Sequence, residues 1–419
     1  MKKNIFALIF ANFIFTLTVT NLFAQGGSNY SIFGIGDIVY GQNAAAQSMG
    51  GTQIGVPSDN TINMLNPALW SLLKTTRVQT GYRFNQNKIS SGDDILMQNN
   101  GSINGFASVF NFDADMKITA GFMLQPVSRV NYYMSSPIKI QEYEISMTGD
   151  SKFKGLGGLS NLTLGLGSKI FDWLYLGASA AAIVGKVEHS IDLTGLNISN
   201  NDALNVRYGN ANIFSGASFK GGIFLIPFNN FGIGAFYQTQ GKTNVESRKE
   251  YIYEYTHQGT IRDTAVTVNE KLQLPTFYGV GISYMTNKFL FATDLLVGNF
   301  SNLHLNKSNN NNFKNMSKFS VGIIKLGNPN QFATLTDRAS YKFGAYYENL
   351  YYVINDEQIS EYAITGGFQF PISRTAQVDV SVEFGSRGMN ANGLIQESFG
   401  RLLIDISIGD TWFKPFRRD

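Results

Sequence analysis

Alternation of apolar and polar residues with a period of two is the feature that most restricts how this chain can fold. Residues 375–385 interleave Ala376, Val378, Val380, Val382 and Phe384 with Thr375, Gln377, Asp379, Ser381, Glu383 and Gly385. This period puts the two sets on opposite faces of a β-strand, one apolar and one polar. The pattern recurs at 77–84, 116–125, 339–348 and 402–409. The sequence therefore predicts an all-β protein whose strands have one apolar face.

The beginning of the chain predicts export. Met1-Lys2-Lys3 precedes an almost wholly apolar stretch at 5–19, and Ala24 marks the expected cleavage site, so we interpret residues 1–24 as a signal peptide. The sequence has no cysteine, which excludes a lipoprotein anchor, disulfides and thiolate metal sites. Past the signal, no apolar run approaches the roughly 20 residues that a transmembrane helix needs. An exported, strand-rich chain of this kind is typical of an outer-membrane β-barrel.

The connections between strands predict the topology. We predict fourteen antiparallel strands, at 75–88, 102–112, 115–134, 157–170, 173–189, 211–226, 231–241, 265–286, 288–300, 315–326, 338–353, 360–371, 374–386 and 398–410. Tight turns alternate with long polar loops, which are predicted at 90–101, 135–155, 192–210, 242–264, 302–314, 354–358 and 387–397. Outer-membrane barrels keep their short turns in the periplasm. An even strand count then puts both termini there, with the barrel over 75–410 and a periplasmic tail at 411–419.

A soluble antiparallel sandwich would also alternate apolar and polar residues. The export signal, the Tyr and Phe residues near strand ends and the alternating connection lengths favour the membrane barrel. Composition agrees, because aromatic residues make up 13% of the chain, charged residues only 15%, and glycine occurs 43 times. The 33 basic and 30 acidic side chains nearly balance, and two of the lysines lie in the signal. No nucleic-acid-binding surface is indicated.

Residues 25–74 precede the first strand and do not resemble one. They are rich in small and apolar residues, including Ala44-Ala45-Ala46 and Gly50-Gly51, and are too apolar for a solvated tail. Asn66-Pro67 predicts the start of a short helix, because Asn is a good N-cap and Pro suits the first turn. We predict that this segment is a hatch that plugs the barrel.

Three short motifs in this segment resemble the hatch of the FadL/TodX family of outer-membrane transporters of hydrophobic compounds. They are Tyr30-Ser31-Ile32-Phe33-Gly34-Ile35-Gly36-Asp37, Ser48-Met49-Gly50-Gly51 and Asn66-Pro67-Ala68. The resemblance covers essentially the whole mature chain, by architecture more than by residue identity. It implies a 14-stranded barrel with an N-terminal hatch. It also implies that ligand binds in an apolar upper lumen and leaves sideways into the bilayer at a kinked third strand.

Charged residues recur on the polar faces of the predicted strands. A charge in lipid costs several kcal/mol, so these side chains are expected to point into the lumen. They either form paired charges that anchor the hatch or line a transport path, and the sequence leaves both interpretations open. The residues are Arg77, Arg83, Lys117, Asp294, Lys342, Glu348, Asp379, Glu383 and Asp405.

Pro126 interrupts the predicted third strand. The alternation at 116–124 breaks at Gln125-Pro126-Val127-Ser128. Proline has no N–H group, so it removes a ladder bond in a barrel where every strand is central. It marks either a bulge near the outer rim or a kink that opens a lateral gap between strands two and three. The second alternative matches the position of the kink in the resembling family.

The sequence offers no catalytic constellation. His189, His257 and His304 lie at strand tops or in long loops without metal-ligand spacing, and no Gly-x-Ser-x-Gly motif occurs. We predict a non-enzyme without cofactor or metal that mediates passive uptake of hydrophobic or amphipathic, fatty-acid-like small molecules. The alternatives are a structural porin and a cargo-binding barrel like PorV of type IX secretion, which resembles the same family. The predicted partners are outer-membrane lipid, a hydrophobic ligand, and a secreted protein or secretion machinery.

Overall fold

The computed structural model describes most of the chain after the predicted signal peptide. The described residues are 26–92, 94–112, 117–142, 145–199, 202–255, 259–301, 303, 313–330, 332–373, 375–391 and 393–411. The predicted signal peptide, His257, His304 and almost all of the predicted tail lie outside them. No helix in the described part is long and apolar enough to cross a membrane.

Eighteen β-strands make up one continuous sheet. They are β1 (Asp37–Ile38), β2 (Thr76–Ser91), β3 (Asp94–Asn111), β4 (Thr119–Pro126), β5 (Ser128–Glu142), β6 (Ile145–Phe171), β7 (Leu174–Ser199), β8 (Asp202–Phe228), β9 (Phe231–Gln240), β10 (Lys242–Tyr255), β11 (Gly259–Gln273), β12 (Thr276–Met285), β13 (Phe289–Asn299), β14 (Met316–Lys325), β15 (Ser340–Ile354), β16 (Glu357–Pro371), β17 (Ala376–Gly388) and β18 (Gln396–Asp410).

The sheet closes into a fourteen-stranded antiparallel barrel, as predicted. Strand β18 pairs with β2 along their whole length, from Asp410 opposite Thr76 to Gln396 opposite Ser90. Three barrel strands are each interrupted once, so that β4–β5, β9–β10 and β11–β12 are pairs of segments within single strands. Strand β1 belongs to the N-terminal segment, residues 26–75, and is not part of the barrel wall.

The predicted faces are confirmed. On β17 and β18, Phe384 is 61% exposed and Ile408 is 57% exposed, whereas Asp379, Glu383 and Asp405 are buried. The exposed apolar residues form the outer, lipid-facing surface, and the polar residues point inward. Burial of charge inside the barrel thus avoids the cost of placing it in lipid.

Several strands are much longer than predicted. Strands β6 and β8 have 27 residues each and β7 has 26, whereas β14 has 10. Because 9–11 tilted residues span a bilayer, strands of roughly 90 Å at about 3.3 Å per residue extend well beyond it on one side. The predicted loops 90–101, 135–155, 192–210 and 242–264 are therefore wrong, since most of their residues pair in ladders. Outside the membrane both sheet faces meet water, and the alternation that marks a strand disappears.

The N-terminal segment has little regular structure and folds through short, capped pieces. They are 3₁₀-helices at Asn29–Ile32 and Pro67–Leu72 and one α-helical turn at Ala44–Gln47. Asn66 caps the second 3₁₀-helix by accepting a hydrogen bond from the Ala68 N–H, which confirms the predicted helix start. One more α-helical turn, Leu335–Arg338, lies in the connection between β14 and β15.

Candidate functional site

The inner face of the barrel holds the N-terminal segment through buried carboxylates. Asp294 Oδ2 accepts hydrogen bonds from the Gln53 and Ile54 N–H groups at 2.7 and 2.8 Å. Asp405 Oδ2 accepts one from the Ala44 N–H at 2.7 Å. These carboxylates lie on β13 and β18, so the segment is fixed to well-separated strands of the wall.

A buried ion-pair network lies beside this segment. Glu361 lies 2.6 Å from Arg387 and 3.0 Å from Arg401. Arg401 also pairs with Glu383 at 2.7 Å, and Arg387 pairs with Asp37 at 2.8 Å. Asp37 belongs to the N-terminal segment, so the network joins that segment to β16, β17 and β18. Pairing of this kind offsets much of the cost of burying a charge.

Of the residues in this network, Glu383 was predicted from the sequence as a lumen charge, whereas Glu361, Arg387 and Arg401 were not. Arg401 shares the inner face of β18 with Asp405, four residues away, so its period-two position was a usable signal. Arg387 lies one residue beyond the predicted end of its strand, at 386, and was therefore assigned to a loop.

The other predicted lumen charges divide into paired and unpaired groups. Lys342 pairs with Asp379 at 3.0 Å, and Lys318, which was not predicted, lies 3.8 Å from Glu348. Arg77 and Arg83 are 5% and 7% exposed and form no ion pair with a described residue. Their hydrogen bonds go to neutral groups: Arg77 donates to Ser407 and Thr375, and Arg83 donates to Asn85 and Gln42.

Lys117 departs from the prediction. It precedes β4, which begins at Thr119, and has a positive φ of 48°. A residue outside the strand does not follow the period-two pattern that placed Lys117 on the inner face. Its side chain is only partly buried.

The Asn66-Pro67-Ala68 motif packs where neighbouring strands carry glycine. Asn66 Nδ2 donates to the Ile223 carbonyl of β8 at 3.0 Å and to the Ile54 carbonyl at 3.1 Å. Asn66 and Pro67 lie against Gly222 and Gly177, where a Cβ atom would collide with them. The motif therefore holds the N-terminal segment directly against the backbone of β7 and β8, which the two glycines make possible.

The third barrel strand breaks at Val127, directly after Pro126. The ladder between β3 and β4 ends at Phe106 opposite Leu124, whereas β4 remains paired with β6 as far as Pro126. Val127 then donates its N–H to the Leu159 carbonyl of β6 at 2.7 Å. In the described residues, β5 continues the pairing with β6 but forms no ladder with β3.

The N-terminal segment occupies the side of β5 that faces away from β6. Strand β1 pairs Asp37 with Arg129 and Ile38 with Ser128. The Val39 N–H donates to the Val127 carbonyl at 2.8 Å, and the Gly27 N–H donates to the Asn131 carbonyl at 2.9 Å. Residues 27–39 thus replace β3 as the hydrogen-bonding neighbour of β5 next to the break.

An apolar cluster fills the part of the lumen beside the break. It contains side chains of the N-terminal segment together with inner residues of β5–β16: Tyr30, Ile35, Ile54, Leu65, Val130, Tyr132, Leu159, Ile183, Phe214, Phe236, Phe277, Leu296, Phe300, Leu350, Tyr351 and Tyr352. Burial and the neighbouring Glu397 carboxylate raise the pKa of Tyr30 to about 12. The neutral Tyr30 hydroxyl donates to the Ile395 carbonyl at 2.5 Å.

Two cavities lie on either side of the N-terminal segment. One, of about 280 Å³, is lined by polar residues of β2 and β3, by the ion-pair network and by apolar residues that include Val39, Val130 and Leu350. The other, of about 420 Å³, lies towards the short turns, next to Met285, Leu326 and Ser340. The segment separates them, because Gln53 and Ala46 contact the second cavity whereas Asp37 and Tyr40 contact the first.

A closed fourteen-stranded antiparallel barrel with an apolar outer surface and an N-terminal segment packed against its inner face is the architecture of an outer-membrane β-barrel protein. The chain belongs to the BamG family, whose model matches residues 1–418. A comparison with curated proteins found no match.

Solved structures share this fold at low sequence identity. The CymD monoaromatic hydrocarbon channel matches with a TM-score of 0.58 and 14% identity, covering 89% of this chain and 99% of CymD. A Pseudomonas aeruginosa FadL homologue matches with a TM-score of 0.57 and 12% identity, covering 90% of this chain and 99% of the homologue. The P. putida toluene transporter TodX matches with a TM-score of 0.56 and 12% identity, covering 89% of this chain and 99% of TodX. The predicted resemblance is confirmed at the level of the fold.

Proposed function

We propose that this protein is an outer-membrane channel for the passive uptake of hydrophobic or amphipathic small molecules. Residues 25–74 act as its plug, and both termini lie in the periplasm. The support is the shared fold, since the matched structures are described as a hydrocarbon channel and a toluene transporter. When the plug moves, the apolar side chains beside the break would give such ligands the kind of surface they prefer.

The break after Pro126 carries this proposal. A closed antiparallel barrel normally pairs every strand on both sides, yet the ladder between β3 and β4 ends at Phe106 opposite Leu124. Ligand would leave through this interruption into the bilayer. Because residues 27–39 pair with β5 next to it, the exit opens only when this part of the plug moves. Plug movement and lateral exit are therefore one step in the proposed mechanism.

Pro126→Ala tests the exit. The alanine restores an N–H group, so pairing between β3 and the third strand can extend towards β5 and narrow the gap. We expect slower uptake of a hydrophobic substrate such as toluene into intact cells, with unchanged or higher heat resistance of the folded barrel. The matched control is Pro137→Ala, a proline within β5 and well beyond the break, which should leave uptake unchanged. Unaltered uptake in the Pro126 variant would refute a lateral exit here.

Deletion of the protein separates transport from the alternatives. Loss of growth on hydrophobic substrates is expected for a transporter. A barrel that binds secreted proteins, like PorV, would instead yield a detergent-stable complex with such proteins and no growth defect. A structural porin would show neither result, and its absence would alter only the general permeability of the outer membrane.

A further inference from the structure

The cavity of about 280 Å³ contains more positive than negative charge. The positively charged lining residues are Arg83, Arg129, Lys318, Arg387 and Arg401. The negatively charged ones are Asp37, Glu348 and Glu361. Each of these carboxylates is engaged by Lys318, Arg387 or Arg401. Arg83 and Arg129 form no ion pair with any described residue. The lining therefore includes two guanidinium groups with no carboxylate in direct contact.

The two arginines differ in their hydrogen bonds to neutral groups. The Nη1 and Nη2 atoms of Arg129 are buried and have no hydrogen-bond partner. Arg83 is 7% exposed and donates to the side-chain oxygens of Asn85, at 2.6 Å, and Gln42. Burial of a charged donor without an acceptor is costly. Arg129 is such a donor, and a fold that retains it beside Arg83 in one cavity is suited to an acceptor that enters from outside the chain.

We propose that this cavity binds an anionic, oxygen-bearing group, a carboxylate or a phosphate, between Arg83 and Arg129. Planar guanidinium groups match both anions with paired N–H donors. Ser102 adds a third donor, because its buried hydroxyl lines the same cavity and has no partner. Asn87 and Asn100 add neutral polar groups to the wall, whereas Val130 and Leu350, which line the same cavity, belong to the apolar cluster. The inference does not depend on the uptake of hydrocarbons.

The position of Arg129 links the site to the break in the third strand. Arg129 lies two residues after Val127 and is the ladder partner of Asp37 in the N-terminal segment. An anion held here lies beside the pairing between β1 and β5. The anion has two sources: a free small anion, or the acidic head of an amphiphile whose apolar part lies at the break. The chemistry at the arginines is the same for both.

The test measures anion-dependent heat stability of the full-length mature barrel in nonionic micelles, at constant ionic strength balanced with chloride. Inorganic phosphate, acetate and octanoate are titrated separately, and the unfolding midpoint is read from the change in gel mobility. We expect a saturable rise in the midpoint with phosphate or a carboxylate, as ligand linkage requires. A lower half-saturating concentration for octanoate than for acetate identifies an amphiphile site. Equal values identify a site for free anions.

Arg129→Gln should abolish the saturable rise. Because it removes an uncompensated buried charge, it should keep or raise the midpoint without anion, which shows that it folds. Arg129→Lys keeps the charge without the planar fork and should retain a weaker response. The control is Arg207→Gln, since Arg207 is exposed and pairs with Asp192 at 2.8 Å far along β8; its anion response should equal that of the wild type. No saturable rise with any anion, or the same rise in the Arg129→Gln variant, would overturn the proposal.

Discussion

Replacement of Glu361 by Gln tests whether the buried ion-pair network stabilises the barrel. Glu361 is 3% exposed, and its carboxylate lies 2.6 Å from Arg387 and 3.0 Å from Arg401. Glutamine keeps the shape and removes the negative charge between the two arginines. Loss of one partner from a buried ion pair costs about 3–5 kcal/mol. Arg387 keeps Asp37 and Arg401 keeps Glu383, so we expect the lower end, about 3 kcal/mol.

The assay is urea unfolding of the refolded barrel in detergent micelles, followed by tryptophan fluorescence and by gel mobility. The matched control is Glu357→Gln, because Glu357 is exposed at the start of β16, directly after the turn from β15. A surface change of this kind shifts the free energy of unfolding by about 0.5 kcal/mol or less. Equal free energies of unfolding for the two variants would show that the network does not stabilise the fold, and would refute the reasoning.

Three further perturbations test which face of the barrel meets lipid and how the N-terminal segment is held against the inner wall. Val380→Arg places a charge against lipid and should lower the free energy of unfolding by about 2–4 kcal/mol; tolerance equal to wild type would contradict the lipid-facing assignment. Asp294→Ala leaves two buried N–H groups of the segment without their acceptor, so proteinase K should cut faster between residues 46 and 65, whereas an unchanged cleavage rate would contradict this anchor. Gly344→Ala collides with Met49, whereas a Cβ at Gly366 meets Phe343 at an ordinary 3.6 Å; the first variant should lower heat resistance and the second should not.

The membrane-spanning part of the fold could be predicted because lipid imposes a local rule. Each spanning residue faces either hydrocarbon or the lumen, so apolar and polar residues must alternate. Phe384 and Ile408 on the outside and Asp405 on the inside obey this rule within single strands. No knowledge of strand partners is needed to recognise it, and the strand count follows.

Predicted strands longer than the roughly 9–11 residues that span a bilayer already indicated a barrel that rises above the membrane. The full length of each extension could not be predicted in this way. His189 pairs with Asn210, and Asp192 pairs with Arg207, within a regular ladder between β7 and β8. Both faces of these strands meet water or other polar groups, so polar residues occupy consecutive positions. Backbone ladders define the strands there, with side-chain pairs such as Asp192 and Arg207 between neighbouring strands. Neither feature gives the amino-acid sequence a period of two.

The charged residues of the lumen could be identified from the sequence, but their ion pairs could not. Asp379 and Asp405 were identified because a charge on the inner face of a strand is a local observation. Which charges pair depends on the order of strands around the barrel: Arg401 reaches Glu361 across the intervening strand β17. The unpaired state of Arg129 is still less accessible to sequence, because it is a property of all the residues around a cavity.

The inner glycines give the strongest reason to regard the N-terminal segment as part of the fold. In the sequence, these glycines indicate only close packing between strands. In the structure, the N-terminal segment occupies the space that side chains at these positions would fill. A Cβ atom would collide with Trp70 at Gly121, with Pro67 at Gly177, with Ile54 at Gly234 and with Met49 at Gly322 and Gly344. These glycines lie on β4, β7, β9, β14 and β15, and so follow the segment around the inner wall. Glycine weakens an isolated strand, and such a cost at so many inner positions is offset only if the segment occupies the space they leave.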